Sequence, residues 1–136
     1  MKDGNMALDI KTLATINLMI QIVLMIVLFF AAFRVKKGEV NNHCNYIKIA
    51  VLLQLAAIFI FMLPSFPGYR ISNGSLLIIF HHALGSVLVG LWIYVNLVYS
   101  RYIRWPENFR YIMRIAFVLW ILAFLIGSYI YIRIYY

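Results

Sequence analysis

Charge is scarce in this sequence, and acidic charge is the scarcest of all. Only 12% of the 136 residues are charged, and four of them are acidic. The four carboxylates lie near the N-terminus or in the short polar segments between long apolar runs, which excludes a paired acid and base inside a helical core. Because the sequence also has no glycine-rich phosphate loop and no GxSxG motif, we expect no enzymatic activity.

Cysteine and proline are rare as well. The single cysteine, Cys44, permits no disulfide within the chain, and the three prolines all fall in the predicted loops, two in 63–75 and one in 100–108. What the sequence has in abundance is apolar side chains, at 65% of the residues. A chain of this length and composition has too few polar residues to cover a soluble globule, so it belongs to the membrane proteins.

Four uncharged runs reach, or nearly reach, the roughly 20 helical residues that cross a hydrocarbon core. They are residues 12–33, 49–69, 71–100 and 115–132. The runs are apolar on all sides, whereas the strands of a membrane β-barrel alternate apolar and polar residues. The sequence therefore predicts an all-α polytopic membrane protein, a four-transmembrane-helix antiparallel bundle. We expect one domain over residues 1–136, with helices at about 11–34, 44–63, 75–100 and 107–134.

The basic residues predict the orientation in the membrane. Eight of them flank or occupy the first and third loops, and four lie on the opposite side, together with Asp3 and Asp9. The eight are Arg34, Lys36, Lys37, Lys48, Arg101, Arg104, Arg110 and Arg114. By the positive-inside rule we expect a multi-pass protein of the cell membrane with both termini extracytoplasmic. The lipid bilayer and its anionic headgroups account for the net charge of +8, so no nucleic acid partner is expected.

Two adjacent histidines interrupt the third apolar run, in the stretch IIFHHALGS. Successive helical residues point about 100° apart, so His81 and His82 cannot face the same neighbour. His82 shares a stripe of small residues that includes Gly85 and Ser86, whereas His81 shares a stripe with Leu84, Leu88 and Trp92. Small residues let helices approach closely in lipid. We therefore expect His82 to face the bundle interior and His81 to face a neighbouring helix or another subunit.

Other polar residues of the apolar runs extend this candidate site. Asn17 and Gln21 are one turn apart on the first helix, and their depth in the membrane matches that of His82. A polar cluster of Asn17, Gln21, Ser86 and His82 is therefore predicted. Gln54, near the centre of the second helix, is interpreted as an interhelical hydrogen bond.

Several roles for the imidazoles remain open. A neutral histidine can simply hold helices together through hydrogen bonds, it can take part in a proton path, or it can ligate haem or copper. His82 is the candidate metal ligand, and Met62 can supply a thioether to the same cofactor. His81 and His43 are further candidate cofactor-binding residues, although His43 lies at the opposite membrane boundary and cannot share a metal with His82. The candidate cofactor is haem or copper, bound transiently or shared with a partner subunit.

The order of these features resembles a family of small four-helix membrane proteins, the domain of unknown function 420 family. The matching pieces are Asn17 in the first helix, the basic loop RVKKGEVNNH that ends in His43, the HHALG stretch aligned on His82, and a fourth helix with Trp120, Gly127 and a tyrosine-rich end. Bacterial members of that family include assembly factors of haem-A cytochrome oxidase. The resemblance implies a four-helix fold and assistance in the assembly of a respiratory oxidase.

Two histidines common in that family are missing here, where the sequence has LPSF (63–66) and NFR (108–110). The resemblance would otherwise imply a histidine pair on each membrane face. Two functions are therefore predicted as alternatives. The first is assembly or cofactor handling of a respiratory haem–copper oxidase, with His82 contacting the cofactor. The second is a permanent small accessory subunit of a larger respiratory or electron-transfer complex, in which the histidines are structural or contact haem.

Overall fold

The computed structural model describes residues 3–62 and 76–136. These residues form four helices and no strand: α1 (Asp3–Lys36), α2 (Val40–Ala57), α3 (Leu76–Tyr99) and α4 (Phe109–Tyr135). A π-helical turn, Ile58–Met62, continues α2. All four helices contain a stretch that is long and apolar enough to cross a membrane. The all-α class with four membrane-spanning helices is thus confirmed, and we treat the chain as a multi-pass membrane protein.

The helix ends differ from the predicted ones. α1 begins at Asp3 and ends at Lys36, beyond both ends of the predicted 11–34, and α2 begins at Val40 instead of residue 44. The polar residues around the first loop are helical because only a tight turn separates α1 from α2. The predicted loop at 63–75, including the LPSF stretch, lies outside the described residues.

The described residues belong to two compact units, each a helical hairpin. The first unit contains α1, α2 and the π-helical turn. The second contains α3 and α4. The prediction of one domain over residues 1–136 stays a prediction.

In the first unit, small side chains line the contact between α1 and α2. Ala31 on α1 and Ala50 on α2 are fully buried, and Leu24, Leu28 and Val51 are nearly so. Small residues let the two backbones approach closely, which is how helices gain van der Waals contact in a lipid environment. The rings of Phe30 and Tyr46 meet edge to face, with centroids 5.7 Å apart, near the connected ends of this hairpin.

The turn between α1 and α2 is a Schellman motif. The amide of Gly38 donates to the carbonyl of Val35 at 3.0 Å, and the amide of Glu39 donates to that of Arg34 at 3.2 Å. These bonds require a left-handed residue at position 38, where φ is 82°. Glycine adopts this conformation without a steric penalty.

In the second unit, large side chains form the contact between α3 and α4. The rings of Trp92 and Trp120 are stacked at a tilt, with centroids 4.5 Å apart, and both side chains are buried. Nearer the connection, Val95 and Val98 on α3 pack against Phe109 at the start of α4. These contacts pair α3 and α4 in antiparallel register.

The connection after α3 repeats the Schellman motif with a different residue at its centre. The amide of Arg101 donates to the carbonyl of Val98 at 3.1 Å, and the amide of Tyr102 donates to that of Leu97 at 3.0 Å. Arg101 therefore occupies the left-handed position that Gly38 occupies in the other hairpin, with φ of 63°. A side chain at that position costs about 1 kcal/mol relative to glycine.

Candidate functional site

The two adjacent histidines of α3 differ in exposure, and His81 faces a neighbouring helix, α4, which is one of its two predicted alternatives. The buried stripe of α3 consists of Leu84, Leu88 and Trp92, which is the stripe of His81, and His81 itself is half-buried. His82 is exposed, and so is Ser86 one turn further along. His82 therefore lies off the face of α3 that packs on α4, and its predicted place in the interior of a four-helix bundle stays a prediction. Large side chains bury more surface against α4 than small ones do, and this outweighs the close approach that small residues permit.

The ring of His81 lies directly against the backbone of α4. A Cβ atom placed on Gly127 would stand 2.9 Å from Cε1 and 3.4 Å from Nε2 of His81. A larger residue at position 127 would require the His81 ring or the α4 backbone to move. Within the described residues, Nδ1 of His81 is buried and has no hydrogen-bond partner. His81 therefore serves first as a packing residue of the α3–α4 hairpin.

His82 is held in a defined tautomer by its own helix. Its Nδ1 lies 2.7 Å from the carbonyl oxygen of Ile78, one turn earlier. Because a carbonyl oxygen only accepts hydrogen bonds, Nδ1 carries the proton and Nε2 of the neutral ring carries the lone pair. The Ser86 hydroxyl donates to the main-chain carbonyl of His82 at 2.9 Å, so it does not orient the ring.

His43 repeats this arrangement in the other hairpin. Its Nδ1 lies 2.9 Å from the carbonyl oxygen of Ala31, so the ring links the start of α2 to the last third of α1. The same reasoning places the proton on Nδ1 and the lone pair on Nε2. In both candidate ligands, His82 and His43, the Nδ1 contact leaves the lone pair of the neutral ring on Nε2.

The two amide side chains of α1, Asn17 and Gln21, lie together. The side-chain nitrogen of Gln21 donates to Oδ1 of Asn17 at 3.5 Å, and both residues are half-buried. The rest of the predicted cluster, Ser86 and His82, belongs to the other unit, and its association with this pair stays a prediction.

Gln54 is the most deeply buried polar residue of the first hairpin, at 5% exposure. Its Oε1 has no hydrogen-bond partner in the described part of the chain, and the predicted interhelical hydrogen bond of Gln54 stays a prediction. Gln21 lies about 15 Å along α1 from Ala31, and Gln54 lies about 17 Å along α2 from His43. Because His43 contacts Ala31, the two glutamines are at similar heights in the hairpin. The Gln21 amide is instead bonded along its own helix.

Met62 ends the π-helical turn and is half-buried. It belongs to the first unit and His82 to the second, so their predicted cooperation on one cofactor stays a prediction. Across residues 3–62 and 76–136, no three His, Cys, Asp or Glu side chains are grouped closely enough to hold a metal ion.

The turn between α1 and α2 carries an ion pair, Arg34 with Glu39. The guanidinium Nη1 lies 2.7 Å from Oε2 of the carboxylate, and the Asn42 amide donates to the same oxygen at 3.0 Å. The hydrogen bond from Asn42, followed by that from Arg34, lowers the pKa of Glu39 below its ordinary value. These contacts fix the connection between α1 and α2, and His43 lies one helical turn after Glu39.

Sequence reasoning missed the contact between His81 and Gly127. The available signal was the hairpin register. Counting outward from the connection between α3 and α4 brings residues near 81 to the height of residues near 127, just as it brings Trp92 to Trp120. A glycine at that height of an apolar helix marks a place where a ring from the other helix can reach the backbone.

Comparisons with protein-family models, with curated proteins and with solved structures gave no match to this chain.

Proposed function

We propose that this chain assists the assembly or cofactor handling of a respiratory haem–copper oxidase, with His82 as a transient ligand of haem or copper. The observation that supports this proposal is the 2.7 Å contact between Nδ1 of His82 and the carbonyl of Ile78. Histidines that ligate metals almost always donate their other ring N–H to a carbonyl, a carboxylate or water. Such a bond fixes the ring and makes Nε2 a better ligand.

The position of His82 suits delivery better than permanent storage. The ring is exposed on a membrane-spanning helix, with the apolar side chains of Ile78 and Ile79 one turn before it. A haem or copper ion held there as cargo would remain accessible to a second protein. Since the described residues offer no group of three metal-binding side chains, the remaining ligands would come from the recipient.

His43 is a second candidate ligand, because its Nδ1 donates to a carbonyl in the same way. Its bond crosses from α2 to α1, however, and so also stabilises the first hairpin. Loss of His43 would therefore disturb folding as well as any cofactor contact. His82, whose Nδ1 bond stays within α3, is the cleaner test of ligation.

We further propose that the protein lies in the cell membrane with both termini extracytoplasmic. The support for this orientation is the greater number of basic residues near the connections of the two hairpins. The connection between α3 and α4 alone carries Arg101 and Arg104, with Arg110 and Arg114 in the first turns of α4. Under this orientation His82 lies toward the extracytoplasmic end of α3.

The alternative function is that of a permanent small accessory subunit of a respiratory complex. It is favoured by the exposure of His82 and Ser86 on a membrane-spanning helix. Polar side chains at such positions are costly in contact with acyl chains, so they favour a protein neighbour. Both functions require a partner in the membrane, and they differ in whether the partner stays bound.

The test is a deletion strain complemented with the wild-type chain, with His82→Ala or with Ser86→Ala as the matched control on the same face. We expect His82→Ala to lower the haem or copper content per oxidase complex. We expect Ser86→Ala to leave that content unchanged, because the Ser86 hydroxyl donates to the main chain of its own helix. Unchanged cofactor content in His82→Ala, with the chain co-migrating one to one with the mature complex, would show a permanent subunit instead.

A further inference from the structure

The connection between α3 and α4 is a strongly basic surface. Four arginines and one glutamate occur between residues 100 and 114, and all five side chains are exposed. They are Arg101, Arg104, Glu107, Arg110 and Arg114. None of them forms an ion pair within the described residues. The surface therefore has a net charge of +3, which no ion pair within the described residues neutralises.

All four cations of this surface are arginines, whereas the connection between α1 and α2 contains lysines. The guanidinium group is planar and offers several N–H donors in a fork that matches the oxygens of a phosphate group. Arg110 and Arg114 are four residues apart on α4, so they share one helix face. This composition favours phosphate recognition over simple charge balance at a membrane boundary.

The backbone at Arg101 provides an independent observation. Arg101 occupies the left-handed position of a Schellman motif, and Gly38 occupies the equivalent position in the other hairpin. A side chain is disfavoured there, and strained positions of this kind gather at functional sites. The left-handed turn ends α3 at this point, so Arg101 and Arg104 both lie in the short connection to α4. An arginine in place of the favoured glycine is explained if its guanidinium binds a ligand.

Aromatic side chains place the arginines at the level of lipid headgroups. Tyr102, Trp105 and Tyr111 are all exposed between or beside the arginines, as tyrosine and tryptophan are at membrane interfaces. The ring of Trp105 also stacks on Phe109, with centroids 4.5 Å apart, and Phe109 belongs to the hydrophobic cluster of Val95 and Val98. The connection is therefore anchored on the helices and presents its arginines in a defined arrangement.

We propose that this surface binds the phosphate group of an anionic phospholipid, with Arg101 as its central ligand. The surface lies at the end of two membrane-spanning helices, which makes a lipid headgroup the fitting source of the phosphate. A free phosphate ion and an acidic polypeptide are the competing ligands. The proposal does not depend on the role of His82.

The test uses the full chain purified in detergent, with phosphatidylglycerol and phosphatidylcholine as the probe lipids in native mass spectrometry. Arg101→Gly removes the guanidinium and places the favoured residue in the left-handed turn. We expect it to bind phosphatidylglycerol about tenfold more weakly, as expected for loss of a charge-assisted bidentate contact. We expect it to unfold at the same temperature as the wild type or higher, so weaker binding would not reflect misfolding.

Arg133→Gln is the matched control. It removes the same charge from the last turn of α4, at the other end of the same hairpin. We expect its affinity for phosphatidylglycerol to stay within about twofold of the wild type, since exposed charges more than about 10 Å away are largely screened. Equal losses in the two variants, or no loss in Arg101→Gly, would overturn the proposal.

A competition arm separates the sources of phosphate. At constant ionic strength, millimolar inorganic phosphate should leave the bound phosphatidylglycerol in place, whereas displacement of the lipid would identify a free-phosphate site and overturn the lipid assignment. Loss of a co-purifying acidic polypeptide from Arg101→Gly, with lipid binding unchanged, would overturn it in favour of a protein interface.

Discussion

The imidazole ring of His81 rests on the α4 backbone at Gly127, where a Cβ atom would stand 2.9 Å from Cε1 of the ring. This contact decides which histidine of the adjacent pair packs within the hairpin and which is exposed. His81 fills the space above Gly127, and His82 points about 100° away around α3. The relationship therefore separates a packing imidazole from a candidate ligand.

Gly127→Ala should destabilise the second hairpin. The added methyl group would force the His81 ring or the α4 backbone to move, and overpacking of this kind costs about 1 to 3 kcal/mol. Gly85→Ala is the control, because a Cβ atom at Gly85 meets nothing within 4 Å. Thermal unfolding in detergent measures both variants. Equal stability of Gly127→Ala and the wild type would show that the ring does not lie on the backbone there.

The paired indoles of Trp92 and Trp120 stabilise the hairpin through packing alone. Within the described residues, neither Nε1 has a hydrogen-bond partner, although both atoms are buried. Trp92→Phe should therefore cost less than about 1.5 kcal/mol, because it retains an aromatic ring and removes an unpaired donor. Trp92→Ala should cost about 3 kcal/mol or more through the cavity it leaves. Comparable losses in chemical unfolding of the two variants would indicate that the indole N–H is bonded.

Gln54→Met should leave the protein as stable as the wild type or stabilise it by up to about 1 kcal/mol. The substitution keeps the side-chain length and removes a buried acceptor that has no partner in the described part of the chain. Gln21→Met is the matched variant, and it should lose about 0.5 kcal/mol because it removes the bond to Asn17. A loss for Gln54→Met larger than that for Gln21→Met would mean that Gln54 is bonded in the folded protein.

The turn between α1 and α2 should respond to acid through Glu39. Hydrogen bonds from Asn42 and Arg34 lower the pKa of Glu39, so the carboxylate stabilises the folded state at pH values above its ordinary pKa of 4.5. This contribution is lost as the pH falls through the lowered pKa of the folded protein. Unfolding temperatures of the wild type and Glu39→Gln should therefore differ at pH 6 and converge as the pH falls below about 4.

The control for this effect is Asn42→Ala, which removes the larger of the two causes. The single variant Asn42→Ala is compared with the double variant Asn42→Ala/Glu39→Gln at pH 6. Their difference in unfolding temperature should be smaller than the difference between the wild type and Glu39→Gln. A difference that is the same with and without Asn42→Ala, or that does not change with pH, would rule out a stabilising role for the Asn42 contact.

The membrane-spanning helices could be predicted from the sequence because length and composition alone determine them. Runs of uncharged apolar residues have no stable alternative in lipid to a helix of about that length. The helix ends were less predictable. α2 begins at Val40 because the Schellman motif around Gly38 reverses the chain within three residues, and hydropathy carries no information about such a turn.

Which stripe of α3 packs on α4 could not be predicted from the composition of the stripes. The rule that small residues face a neighbouring helix does hold for Ala31 and Ala50 in the first hairpin. In the second hairpin the stacking of Trp92 on Trp120 sets the rotation of α3, and His81 follows that stripe. Whether small or large residues of α3 face α4 depends on the opposing side chains of α4. The residue pattern of α3 alone carries no information about those side chains.

The most direct test of the central claim is a titration of the purified protein with haem, followed by its Soret absorption. His82→Ala and His81→Ala are compared with the wild type in the same detergent. We predict a Soret shift in the wild type that survives in His81→Ala and is lost in His82→Ala. A shift that persists in His82→Ala, or that depends on His81 instead, would contradict the assignment of His82 as the ligand.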